Sequence, residues 1–180
     1  LHLIRDCRLE VLVNPPLLSK KELLAPILCG QVADLMLQKG WLLATAESCT
    51  GGLISAACTD LAGSSNWFER GFVTYSNAAK SELLGVDAAL IAAHGAVSDA
   101  VVCAMVQGAI THSKAQVAVA VTGVAGPTGG SRTKPVGTVW FGFMVDGRLS
   151  SEMQRFGGDR AAVRLATVQH ALQRLEQLLE

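Results

Sequence analysis

The stretch at residues 42–53, LLATAESCTGGL, decides the fold. An apolar run up to Ala46 reads as a buried strand, Glu47, Ser48, Cys49 and Thr50 follow, and Gly51 and Gly52 lead into a segment with helical spacing over 52–61. A strand passing through a short turn into a helix is a building unit of α/β folds. The turn itself fits two readings. In one, Ser48 or Thr50 caps the helix and the glycines make a tight turn. In the other, a reactive hydroxyl sits beside helix-opening amides that lack intrahelical partners and hold a negative oxygen, while the glycines let a ligand approach the backbone.

Outward from this unit, helices and strands interleave. Ser19-Lys20-Lys21-Glu22 matches a capping box, and Leu24, Ile27, Leu28, Val32, Leu35 and Met36 keep helical spacing up to Gly40, with Pro26 a candidate for the start of the continuous part. Strands are predicted over 41–46, 67–75, 116–121, 137–145 and 149–156, the last two joined by an Asp146-Gly147 hairpin turn. Helices are predicted over 78–84 behind an Asn77 cap, over 87–93, beyond a Ser98 cap, and beyond an Asp159 cap, where Val163, Ala166, Leu172, Leu175 and Leu179 share a face. The expectation is a three-layer α/β/α sandwich around a mixed central sheet, one domain over 21–180 preceded by a leader at 1–20.

Composition narrows the function. Lysine plus arginine equals aspartate plus glutamate, 15 against 15, so no net positive field recruits nucleic acid, and no apolar run reaches the roughly 20 residues that span a bilayer. Five cysteines, an odd number without a CxxC pair, predict reduced thiols in the cytoplasm. The four histidines show neither metal-ligand spacing nor the placement of a Ser-His-Asp triad, so no metal or cofactor is expected. Apolar helices flanking such a sheet suggest a homo-oligomer.

Three further features carry chemistry. Lys80 falls in the first turn of its helix, where the positive end of the dipole favours the neutral amine that a general base requires; a solvated surface lysine is the alternative. The loop 122–131, TGVAGPTGGS, leaves the most apolar strand and fits neither GxGxxG nor GxxxxGK[ST]. It is either a plain connection or a cradle of amides at the carboxyl edge of the sheet. Arg160 opens the last helix and either lies exposed or forks onto a phosphate. Cys49 rivals Ser48 as nucleophile but reads better as a buried, inert thiol.

AESCTGG at 46–52, GSSNWFERGFVTYSNAAK at 63–80, GVDAALIAAHGAVS at 85–98, TGVAGPTGGS at 122–131, KPVGTVWFG at 134–142 and FGGDR at 156–160 occur in an order and spacing that resemble the CinA carboxyl-terminal family of nicotinamide-nucleotide amidohydrolases. The resemblance extends from about Leu24 nearly to the end. It implies hydrolysis of nicotinamide mononucleotide to nicotinate mononucleotide and ammonia, with the catalytic serine, tyrosine and lysine at Ser48, Tyr75 and Lys80 and a phosphate-binding arginine at Arg160, near Arg155 and Arg164. Substrate contacts are expected from Thr50, Gly51, Gly52, Asn77, Thr122, Gly123, Gly126, Gly129 and Gly130, with amides at 49–52 taking the oxyanion. Many relatives carry an extra amino-terminal domain resembling molybdopterin-binding proteins, which is not recognised here. A nucleotide- or partner-binding module without turnover, associated with competence or DNA damage, is the alternative function.

Overall fold

The computed structural model describes residues 20–180; the leader and the Ser19 cap lie outside the described residues. A five-stranded sheet has the order β2-β1-β3-β4-β5. Its strands are β1 (Leu43–Glu47), β2 (Phe68–Val73), β3 (Val117–Gly123), β4 (Thr138–Val145) and β5 (Arg148–Arg155). β1 runs parallel to both β2 and β3, whereas β4 is antiparallel to β3 and to β5. The sheet is therefore mixed, with β2 and β5 at its margins. The hairpin prediction holds: Asp146 and Gly147 both have positive φ, 47° and 77°, the conformation a two-residue turn between twisted strands requires.

Alternation along β1 and β3 sorts the helices between the two faces. Leu43, Val117, Val119 and Val121 point into the larger core with α1 (Lys20–Lys39), α2 (Leu53–Thr59) and α6 (Arg160–Leu179). Ala44, Ala46, Ala118 and Ala120 face α3 (Asn77–Leu84), α4 (Ala88–His94) and α5 (Asp99–Thr111). Small side chains on that face admit α5 closely, and a β-carbon at Gly142 would come within 2.8 Å of Val102 O. No described helix is long and apolar enough to cross a membrane.

Most element boundaries fall within two residues of expectation, and Asp87, Ser98 and Asp159 each cap a helix through their side chains. Two expectations need correction. Ser76, not Asn77, caps α3: its backbone is extended and its Oγ accepts from Ala79 N at 3.0 Å, which makes Asn77 the first helical residue. Pro26 lies inside α1 and does not begin it. The buried face of α1 comprises Ala25, Leu28, Cys29, Val32, Ala33 and Met36, while Leu24 and Ile27 face outward, because α6 and the sheet lie on the other side.

Candidate active site

The three parallel strands end together, and their carboxyl ends form the site, as is usual for open α/β sheets. Ser48 follows β1, its N–H extending the β1–β3 ladder to Val121 O at 3.1 Å. Thr74 and Tyr75 follow β2, where Thr74 N donates to Glu47 O at 2.8 Å. Thr122 and Gly123 end β3.

Lys80 reaches this edge from the buried face of α3, the face it shares with Leu84 four residues on. It is 1 % exposed, and its Nζ donates to Thr74 O at 3.0 Å and to Ser48 Oγ at 3.2 Å. Burial pushes the amine below the ordinary lysine range, against an opposing influence from Cys49. The expected direction is therefore right, but desolvation supplies it, not the helix start.

Ser48, Lys80, Tyr75, Asn77, Thr122, Gly123 and Arg160 line one cavity of about 240 Å³ together with Cys49 and Ala125. Its remaining wall, Ala96 and Val97, was not anticipated from the sequence. That wall is fastened by Thr122 Oγ1, which donates to Ala96 O at 2.8 Å, and by Lys134 Nζ, which donates to His94 O at 2.8 Å. Tyr75 stands at the rim, 62 % exposed, and accepts from Arg160 Nη2 at 3.1 Å; Arg160 Nη1 donates to Gly126 O at 3.0 Å. Of the neighbouring arginines, Arg164 instead donates to Thr50 O at 2.8 Å, and Arg155 lies exposed on β5.

The other anticipated contacts lie off the cavity. Thr50 is buried with its hydroxyl donating to Glu47 Oε2, and neither Gly51, Gly52, Gly129 nor Gly130 lines the space; Gly126 contributes only its carbonyl to Arg160. The expected oxyanion amides also need correction. Gly51 N donates to Ser48 O and Gly52 N to Glu47 Oε2, because the carboxylate already occupies the opening of α2. The amides of Cys49 and Thr50 are the pair in the turn without an oxygen acceptor among the described residues. An acid just before a helix start is the sequence signal that would have identified Glu47.

Cys49 is buried, and that burial pushes its thiol up to about 11, so the thiolate needed for nucleophilic attack is scarce at neutral pH. In the amide hydrolysis that the resemblance implies, Cys49→Ala is expected to keep kcat/KM within about threefold of the parent, measured by ammonia release, because a neutral buried thiol contributes packing only. His94, His112 and His170 do not line the cavity; His112 bonds Gly108 O and His170 pairs with Glu152 on β5. Among the described residues no group of three or more His, Cys, Asp or Glu is placed to hold a metal.

The model of the CinA C-terminal domain matches residues 27–179. Nicotinamide-nucleotide amidohydrolase PncC of Enterobacter agglomerans is 60% identical over 136 residues, covering 75% of this chain and 83% of the relative. The protein of the same name from Escherichia coli (strain K12) is 50% identical over 151 residues, 83% of this chain and 92% of the relative. Among solved structures, the competence/damage inducible protein CihA from Agrobacterium tumefaciens superposes with a TM-score of 0.84 at 42% identity, covering 91% of this chain and 99% of that one.

Proposed function

The chain belongs to the CinA C-terminal domain family, and from that premise we propose that it is an amidohydrolase that converts nicotinamide mononucleotide and water to nicotinate mononucleotide and ammonia. The observation that carries the reading is the buried Lys80 amine 3.2 Å from Ser48 Oγ inside a small cavity. A lysine with its charge disfavoured has a lone pair to offer, and Ser48 is the hydroxyl within its reach.

Ser48 Oγ attacks the carboxamide carbon while its proton passes to Lys80 Nζ, and the carbonyl electron pair moves onto oxygen. The Cys49 amide, beside Ser48 on the cavity wall, takes that oxyanion. Collapse of the intermediate breaks the C–N bond, Lys80 returns the proton to the leaving nitrogen, and ammonia departs from a Ser48 ester. Water then attacks the ester with Lys80 again taking the proton; collapse breaks the bond to Ser48 Oγ, Lys80 returns its proton to that oxygen, and the acid leaves as carboxylate, its proton passing to ammonia. Thr74 O holds the amine in place through both halves. Arg160 uses two of its five N–H donors within the protein, which leaves others to hold the phosphate; Tyr75 stands beside it at the mouth. A cytoplasmic setting belongs to the same proposal, supported by unpaired thiols at Cys29, Cys49, Cys58 and Cys103. So does self-association, which light scattering reads directly.

The purified chain incubated with nicotinamide mononucleotide is expected to release ammonia and nicotinate mononucleotide in equal amounts. Calorimetric binding of the nucleotide with no ammonia formed would overturn catalysis in favour of a binding module.

A further inference from the structure

Glu47 is fully buried, yet it lies outside the reacting cavity. Both of its carboxylate oxygens are saturated. Oε2 accepts from Thr50 Oγ1 at 2.7 Å, Gly52 N at 3.0 Å and Ile54 N at 3.0 Å. Oε1 accepts from Ser55 N at 2.8 Å, Ser55 Oγ at 2.7 Å and Thr45 Oγ1 at 3.3 Å. Buried carboxylates cost free energy unless paired or fully hydrogen-bonded, and this one is compensated by amides and hydroxyls without a cation. The packing around it is close: a β-carbon on Gly71 of β2 would strike Ser55 Oγ and come within 2.9 Å of Thr45 Oγ1.

These bonds span the turn that presents Ser48. Gly51 and Gly52, with φ of 61° and 101°, curl the start of α2 around the carboxylate, and the chain between Glu47 and Gly52 is thereby a closed loop with Ser48 on it. The main chain of the same residue fixes the other partner. Glu47 O takes Thr74 N, and Thr74 O takes Lys80 Nζ. One residue thus holds the nucleophile through its side chain and the clamp on the base through its backbone.

We propose that Glu47 is a positioning residue that sets Ser48 Oγ against Lys80 Nζ, a role resting on the amidase reading above. Glutamine in its place would keep the shape but lose the second acceptor oxygen. The amide oxygen satisfies the Oε2 site, where two of three donors are backbone N–H groups that cannot reverse. The amide NH₂ then faces Ser55 N, donor against donor, and the opening of α2 shifts. Displacement of a reacting group by even a fraction of an ångström to one ångström lowers the rate by about tenfold to a hundredfold.

The test uses the full chain as parent, Glu47→Gln and Ser55→Ala, with two readouts. One is kcat and KM for ammonia release from nicotinamide mononucleotide; the other is the rate at which a fluorophosphonate phosphonylates Ser48, read by intact mass as fluoride leaves. Circular dichroism establishes that each variant is folded. The expected result for Glu47→Gln is a fall in both kcat and phosphonylation rate of about ten- to a hundredfold with KM within about threefold, because the residue does not touch substrate. Ser55→Ala follows in the same direction by a smaller factor, and decides the matter should Glu47→Gln fail to fold. Parental kcat and phosphonylation rate in a folded variant would overturn the proposal. Should the parent be phosphonylated at Ser48 and slowed by Glu47→Gln, yet release no ammonia from the nucleotide, the substrate reading falls and the positioning role stands.

Discussion

Ser48→Ala is expected to lower ammonia release from nicotinamide mononucleotide by at least about a thousandfold, since no bond can form to a missing nucleophile and only binding and oxyanion contacts remain. The fold is expected to survive. Ser48 holds its place in the structure through its main chain, N–H to Val121 O and C=O from Gly51 N, and neither bond uses the hydroxyl. What is lost on truncation is one hydrogen bond from Lys80. Nucleotide binding is therefore expected to persist, and calorimetry on the variant would measure affinity without turnover. An Ser48→Ala protein within tenfold of the parent would transfer the attack to water or to Cys49 and overturn the serine mechanism.

The second large effect comes from the base. Lys80→Met keeps the length and apolar stem of the side chain but removes the amine, and is expected to cost about a hundredfold to ten-thousandfold in kcat, the usual contribution of a general acid–base group. Its effect on stability runs the other way. Burial holds the Lys80 pKa in the folded chain below its value when unfolded, so the folded state binds that proton less tightly. Parental stability therefore rises with pH from the lowered pKa up to the ordinary lysine value of about 10.4, and the burden of the charge is greatest below that window. Methionine carries no such burden. Thermal unfolding is expected to place Lys80→Met furthest above the parent on the acid side, with the gap narrowing as pH rises. Thr74 O and Ser48 Oγ lose their donor in the variant, which sets a constant cost beneath that trend. The parent's kcat/KM is expected to climb with pH through the Lys80 pKa, at a midpoint below about 10.4, because only the neutral amine accepts the serine proton.

How much of this was legible in the sequence follows from how local each determinant is. Asp87, Ser98 and Asp159 cap their helices through bonds two or three residues long, which the chain encodes directly. At Ser76-Asn77 two competent caps stand side by side, and backbone conformation selects the first. The alternation of alanine and valine along β3 shows in the sequence, but which helices lie on which side does not, and the helical spacing of Leu24 and Ile27 does not tell that they face outward. Ser48 and Lys80 are brought together by the family resemblance, 32 residues apart, where local pattern alone favours a helix cap and a surface lysine. The loop at 122–131 invited over-reading on composition: Gly123 lines the cavity, but Gly129 and Gly130 do not. Glu47 went unassigned because its role depends on the left-handed turn at Gly51 and Gly52, which curls the helix back over it.

The position of β2 has a further bearing on durability. It is a margin of the sheet, bonded on one side only, to β1, and it delivers both Thr74 and the helix that carries Lys80. Ser48, the proposed nucleophile, by contrast follows β1, which is flanked on both sides. Fraying begins at such borders, where each rung has a single neighbour. On the serine–lysine reading, mild warming is therefore expected to cost activity before the interior strands melt, which activity and circular dichroism followed together against temperature would check.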